Sequence, residues 1–430
     1  MKQASSASPG RTRRLVLTVT VANTLEWYDF SVYAFLAPVI APIMFPTSSA
    51  MASLLLSIGT FGVGFLSRPL GAIIFGVLAD RHGRKLALLL TLAVMGGATV
   101  AIGLVPPFSA IGLAAPLLIV LARLLQGLAA GGVMGGATAL LIEHAPPGKA
   151  GYFGSWQAAG QAGALLLGAL AAATTSALVS PEQLSGWGWR VPFIASILLI
   201  PIALYIRRRV DDSEEFVVQA QAQQRSTGSP LRVLLRTRSG AIAQGFGITI
   251  IWTVATYFFF VYVPLHARTV LNLPMSTTLF SNSLALAVML VMSPVAGHVS
   301  DLFGRYRVMV TAALAIVVLI LPAFGFLVEH PHPAALMVFQ LFFAVLAALF
   351  IGPAPAAIAE LFPVGVRSSG VGLAYNLAVT VFGGFGPFIA TSLIARTGNP
   401  MSPTWYVLFS CGLSLLTLLL TPTTSRRDPC

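Results

Sequence analysis

Two carboxylates, Glu26 and Asp29, stand inside the first apolar stretch of the chain, in NTLEWYDF (Asn23 to Phe30). Three residues apart on a helix, they share roughly one side. An ionised group held at mid-bilayer costs about 3 kcal/mol on insertion scales, so such a residue normally faces a partner or a watered cavity. Acids placed this way suit the uptake and release of a proton or an ion. Arg68 and Arg123 also fall inside apolar stretches and need the same kind of explanation. A fixed guanidinium suits an anionic substrate, because its planar fork holds a carboxylate bidentately. For Arg68 the plainer reading is snorkelling, or a pair with Glu26.

The elements that must position these residues are membrane helices. Of 430 residues, 57% are hydrophobic and 9% charged, against about 25% charged in a soluble domain. The 40 Gly and 28 Pro fit a polytopic helical protein, where both are commoner than in soluble helices. Twelve apolar stretches reach the length of about 20 residues that a crossing needs, at 15–44, 51–79, 86–105, 116–144, 152–179, 190–207, 240–265, 277–300, 308–328, 334–360, 369–395 and 404–421. The basic start, MKQASSASPGRTRR, precedes a run too long for a signal peptide and without a convincing cleavage site, so the first helix is expected to be retained.

The net charge of +12 does not point to nucleic acid, since no Lys/Arg arm with interleaved aromatics is present. Its distribution gives topology instead. Of the 25 Lys and Arg, only Arg190, Arg268 and Arg396 fall in the loops on one side, and only Arg68 and Arg123 within helices. The positive-inside bias therefore puts both termini in the cytoplasm. The polar segment Arg207 to Ser239 reads as a cytoplasmic linker. The expected division is a tail at 1–14, a six-helix bundle at 15–207, the linker at 208–239, a second bundle at 240–421 and a tail at 422–430.

The bundles repeat each other. GVLADRHGRK (Gly76 to Lys85) returns as GHVSDLFGRYR (Gly297 to Arg307), an offset of 221 from 76 to 297. IEHAPPGKAG, with Glu143, returns as AELFPVGVRSSG, with Glu360, an offset of 217. Gly76 and Gly297 allow helices to approach closely. Asp80 and Asp301 can cap the positive N-terminus of a neighbouring helix. Arg84 and Arg305 can bridge to Glu143 and Glu360. Such clusters would hold the cytoplasmic side shut in one conformation, where a plainer reading makes them topogenic charges only.

Twelve helices, a six-plus-six repeat and this loop motif resemble the major facilitator superfamily. EWYDF, GFLSRPLGA (Gly64 to Ala72), RLLQG (Arg123 to Gly127) and GWGWRVPF (Gly186 to Phe193) resemble its metabolite:proton symporters, which carry citrate, tricarballylate, 2-oxoglutarate and osmoprotectants. YNLAVTVFGG (Tyr375 to Gly384) is most similar to the citrate and tricarballylate carriers. The resemblance implies an all-α membrane protein with twelve transmembrane helices in two pseudo-symmetric six-helix bundles, the major facilitator fold. It implies a bacterial inner-membrane carrier that imports a small anionic metabolite with protons by alternating access, acting as a monomer and without a cofactor.

Carried onto this chain, the resemblance matches Asp29 to the helix 1 acid that pairs with the helix 4 arginine, here Arg123. Desolvation favours the neutral acid and a guanidinium favours the ionised one, so such a pair can take and release a proton. Glu26 is the competing site, and a static buried pair is the plainer alternative. Polar residues placed to face a central cavity are Asn23, Tyr33, Gln157, Gln161, Tyr257, Asn282, Tyr375 and Asn376, each open to the alternative of an interhelical hydrogen bond. One departure stands out, since the acid usual after RxxQG is replaced in GGVMGG by Val133 and Met134. The Gly-Pro pair typical of drug/proton antiporters is also missing from GQAGALLLGAL, which favours uptake.

An enzyme is not expected. No nucleophile–base motif occurs, and neither the histidines nor Cys411 and Cys430 have metal-ligand spacing. The rival substrate class is a zwitterion such as proline or betaine, and an efflux carrier is the remoter alternative.

Overall fold

The computed structural model describes residues 9–82, 84–198 and 238–420. The expected tails at 1–14 and 422–430 and the linker at 208–239 therefore lie wholly or mostly outside the described residues, as do the side chains of Glu26, Asp80 and Arg84 and the surroundings of Gly76. Every described element is helical. In hydrocarbon each backbone N–H and C=O must be satisfied within its own segment, which leaves the helix as the open-chain solution.

The first half runs α1 (Pro9–Met44), α2 (Ala50–Leu66 and, after Ser67, Arg68–His82), α3 (Arg84–Leu104), α4 (Ala114–Ala130 and Val133–Glu143), α5 (Ala150–Leu178) and the start of α6 (Val191–Ala195). The second half runs α7 (Ser239–Tyr257, a π-helical turn Phe258–Tyr262, then Val263–Thr269), α8 (Met275–Phe303), α9 (Arg305–Glu329), α10 (Pro333–Ile351 and Ala354–Ala359), α11 (Arg367–Ala378, a π-helical turn Val379–Gly384, then Gly386–Thr397) and α12 (Pro403–Leu420). Ten of these are long and apolar enough to cross a bilayer, and shorter apolar stretches, Leu90–Leu104 and Gly188–Leu198, fill the third and sixth places. The third helix itself covers Arg84–Leu104, and the side chains of 81–89 and the residues from 199 to 237 lie outside those described.

Two of the breaks lie beside the buried arginines. In α2 the interruption falls at Ser67, just before Arg68-Pro69. Pro69 has no N–H to give the carbonyl of Phe65, four residues back. In α4 the pair Gly131-Gly132 interrupts the helix eight residues after Arg123.

Small residues in GFLSRPLGA and RLLQG lock α2 onto α4. A Cβ at Gly127 would overlap the Gly64 carbonyl, one at Gly131 the Arg68 carbonyl, and one at Gly71 the Leu128 carbonyl. Ser67 Oγ donates to the carbonyl of Leu124 at 2.7 Å. This backbone-to-backbone contact is what brings Arg68 and Arg123 into one layer. Gly127→Ala is therefore expected to force α2 and α4 apart and cost at least about 3 kcal/mol, above the usual overpacking range because the obstacle is backbone. A thermal melt in detergent indistinguishable from the parent would refute the interlock.

The halves meet along α5 and α8, α4 and α11, and α2 and α11. At the end that carries Arg305, Gly151 of α5 lies against Gly297 of α8, and Gly135 of α4 against the Ser368 carbonyl of α11. Toward the other end, Gly62 of α2 abuts Phe385 at the end of the α11 π turn. Arg123, between these contacts, is 0% exposed. The arginine layer is thus covered toward both ends of the bundle.

Candidate functional site

The centre of the first half is a pair of arginines around one ring. The guanidinium carbon of Arg68 lies 4.7 Å from the centroid of Phe30, and that of Arg123 lies 5.9 Å from it. Trp27 and Phe65 complete a cage on Arg68, at 4.6 and 4.4 Å. Tyr33 lies under Arg123 at 3.8 Å, its hydroxyl donating to the Ser57 carbonyl at 3.1 Å. Trp27, Phe30 and Tyr33 recur every three residues on α1, so one helix face supplies three of the rings. Cation–π contact offsets part of the cost of removing these charges from water.

Five of the six guanidinium nitrogens of these arginines are without a hydrogen-bond partner among the described residues. Nε, Nη1 and Nη2 of Arg123 have no acceptor among the described residues, nor do Nε and Nη2 of Arg68. Buried polar groups are nearly always paired, and a cation without acceptors is the costliest exception. Nε and Nη2 form the guanidinium edge that grips a carboxylate with two parallel bonds. The rings of Trp27, Phe30 and Phe65 surround the Arg68 guanidinium, whose Nε and Nη2 have no acceptor among the described residues. Arg68 therefore neither snorkels nor has an acid partner among the described residues, and the Glu26 side chain lies outside them.

Asp29 is buried on α1, close enough to Arg123 to act on it electrostatically. Its separation from the guanidinium exceeds a direct hydrogen bond, because no Arg123 nitrogen has an acceptor among the described residues. The two groups thus interact electrostatically, without a hydrogen bond from Arg123 to an acceptor among the described residues.

The other expected residues divide into two groups. Gln161 and Tyr375 meet across the halves, with Gln161 Nε2 donating to the Tyr375 hydroxyl at 3.4 Å and Trp252 Nε1 donating to Gln161 Oε1 at 2.9 Å. Tyr257 stands edge-on to Phe65 at 5.6 Å, with its buried hydroxyl unpartnered among the described residues. Through Phe65, Tyr257 adjoins the rings around Arg68. Asn23 and Gln157 instead bind each other, through Gln157 Nε2 to Asn23 Oδ1 at 3.0 Å and Asn23 Nδ2 to the Gln157 carbonyl at 3.0 Å. Asn282 is occupied within the second half. Its Nδ2 donates at 3.0 Å to the Phe260 carbonyl, which Pro264 leaves without a donor, and its Oδ1 accepts from Gln340 at 3.3 Å. Asn376 donates to the Gly131 carbonyl at 3.0 Å.

Trp252, Trp27 and Phe65 are additions to the residues expected from sequence. Trp27 and Phe65 stand in the motifs EWYDF and GFLSRPLGA, directly beside the charged residues, and that adjacency is the signal available for them. His266 is a further addition, a buried histidine in α7 bonded to the Tyr262 hydroxyl at 3.2 Å.

At the Arg305 end, Asp301 accepts from the backbone N–H groups of Gly151 and Tyr152, both at 2.8 Å. The acid of α8 thereby caps the N-terminus of α5 in the opposite half, where the helix dipole is positive. Arg305 bonds Asp301 at 3.3 Å and forms an ion pair with Glu360. Glu143 pairs with Arg367 of the second half at 3.6 Å, and the expected partner Arg84 lies outside the described side chains. Asp301→Ala removes two charge-assisted bonds, so it is expected to cost the closed form about 2–3 kcal/mol and lower its melting temperature. An unchanged melt would show that the cap contributes nothing there.

Known proteins share this architecture. A family model for sugar and other transporters matches residues 15–243, and a model of the major facilitator superfamily matches 282–429. The citrate-proton symporter of Salmonella typhi is 37% identical over 94% of this chain and 93% of its own length. The proline/betaine transporter of Escherichia coli K12 is 29% identical over 97% of this chain and 85% of its own. The solved proton:xylose symporter XylE, bound to 6-bromo-6-deoxy-D-glucose, superposes with a TM-score of 0.76 at 16% identity, covering 98% of each chain, which is a likeness of fold.

Proposed function

We propose that this chain, which belongs to the major facilitator superfamily and within it to the metabolite:proton symporters, imports a small di- or tricarboxylate together with protons. The observation that carries the reading is the pair of arginines on either side of Phe30, five of whose six guanidinium nitrogens have no acceptor among the described residues. Two cations in one dry layer suit a substrate with more than one carboxylate, each taken by one fork. The similarity to citrate-proton symporters supports the same class.

Asp29 supplies the coupling. Ionised, it satisfies the field of Arg123 and competes with a substrate carboxylate. Protonated, it leaves Arg123 to the substrate, so proton and anion enter together. Glu26 tunes the same region. Gln161, Trp252, Tyr257 and Tyr375 complete the site from the second half and from α5, and rocking of the halves exposes it to each side in turn. Each charge moved with the membrane potential adds about 2.3 kcal/mol per 100 mV. The Arg305 end is the cytoplasmic one by the positive-inside bias, with both termini on that side, and the carrier works as a monomer in the bacterial inner membrane.

A zwitterion carrier is the second reading, favoured by the proline/betaine relative and by the aromatic cluster of Trp27, Phe30 and Phe65. Aromatic cages hold quaternary ammonium groups. Here, however, the cage is filled by the Arg68 guanidinium. Proteoliposomes with an imposed inward proton gradient test the choice. Accumulation of citrate, succinate or a related polycarboxylate, abolished by a protonophore, is expected. Uptake of betaine or proline alone would overturn the carboxylate reading, and accumulation from the cytoplasmic side would overturn import.

A further inference from the structure

Two backbone carbonyls at the breaks of the arginine helices are held by one face of α11. Thr380 Oγ1 donates to the Phe65 carbonyl at 3.0 Å, and Asn376 Nδ2 donates to the Gly131 carbonyl at 3.0 Å. Thr380 and Asn376 are one turn apart on α11, so they share a face. The Phe65 carbonyl is the one that Pro69 deprives of its helical donor. Prolines in membrane helices are tolerated because a neighbour's hydroxyl or amide supplies the missing bond. The same solution appears at Pro264, where Asn282 serves the Phe260 carbonyl. There donor and acceptor both lie in the second half and move as one body. At Pro69 the donor comes from the opposite half, so this bond lasts only while the halves stay closed.

We infer that Thr380 and Asn376 form a latch across the halves, built on the Pro69 and Gly131 breaks, that holds the arginine layer shut. Its position links it to the site. Phe65, whose carbonyl Thr380 holds, carries the ring that contacts Arg68 at 4.4 Å. A carboxylate drawn to the Arg68 edge presses on the residue that the latch restrains. Thr380 is thus a positioning residue, acting through Phe65 and not on the substrate. The inference rests on alternating access in this family and is independent of which anion is carried.

The test needs no substrate. Spin-label pairs at Leu178 and Trp405, and at Lys149 and Leu302, report the separation of the halves at the two ends, in full-length protein carrying Cys411→Ala and Cys430→Ser. Thr380→Val keeps the shape and removes the donor. It is expected to raise the fraction of long distances at one end about fivefold, the scale of one hydrogen bond, and Thr380→Ser is expected to restore the parent distribution. Pro69→Ala returns an N–H to the Phe65 carbonyl, so in that background Thr380→Val should add little, a coupling read by the double-mutant cycle. Parent-like distances in Thr380→Val would overturn the latch. So would an undiminished effect of Thr380→Val when Pro69 is alanine. A failure of citrate uptake leaves these distances untouched, so the substrate reading and the latch stand or fall separately.

Discussion

Arg123→Met is expected to raise the melting temperature of the ligand-free protein while abolishing the stabilisation that citrate or another polycarboxylate gives. The two signs have one cause. In the closed structure Arg123 is fully buried, none of its guanidinium nitrogens has an acceptor among the described residues, and the Tyr33 and Phe30 rings lie against it. Desolvating a cation costs several kcal/mol, and replacing a buried charge by a well-packed apolar side chain is often neutral or stabilising by about 1–4 kcal/mol. Asp29 can follow by taking a proton. The bound state loses a charged, bidentate partner, worth about 3 kcal/mol or more, so affinity should fall roughly 100-fold. Arg68→Lys should show a milder form of the same loss, because an ammonium keeps the charge but neither stacks in the Trp27, Phe30 and Phe65 cage nor offers two parallel donors. Thermal melts with and without ligand decide the matter. A destabilised Arg123→Met would mean that Arg123 is a structural partner of Asp29, and an intact ligand shift would remove it from the binding site.

Asp29→Asn is expected to separate binding from coupling. The amide keeps the size and much of the polarity of a protonated acid but cannot release a proton. Substrate binding and counterflow of labelled against unlabelled substrate should persist, whereas uphill accumulation driven by a proton gradient should fall to background. In the parent, uptake should rise as the outer pH falls, because protonation of Asp29 frees Arg123 for the anion. In the variant this dependence should flatten. Concentrative uptake by Asp29→Asn would move the coupling role elsewhere, with Glu26 the first residue to test. Loss of counterflow as well would make Asp29 part of the substrate site.

Much of the architecture was legible in the sequence. Hydrocarbon demands self-satisfied backbone, so length and apolarity alone mark the spans, and the repeated loop motif marks the duplication. The identity of the charged residues in the spans was legible for the same reason. A charge in an apolar run is expensive and stands out, so Asp29, Arg68 and Arg123 could be picked out without coordinates. Asp301 as the cap of a neighbouring helix also followed from residue type and position, and the Gly151 and Tyr152 N–H groups supply that cap.

Partnership was a different matter. Asn282 and Tyr257 look alike as polar residues in apolar helices. Yet Asn282 is used up by the carbonyl that Pro264 frees, while the Tyr257 hydroxyl reaches the arginine layer without a partner among the described residues. Trp27 and Phe65 read as ordinary apolar residues until the helices meet and they close around Arg68. Residue chemistry and period along one helix set which groups are costly to bury, and those are local properties. Which cost is met by a neighbour and which is left for a ligand depends on how α1, α2, α4, α7 and α11 come together, at contacts far apart in the chain. Residue types and spacing thus mark a twelve-span membrane carrier with charges in its core, and only the packed helices leave Arg123 and the Nε and Nη2 edge of Arg68 without acceptors among the described residues.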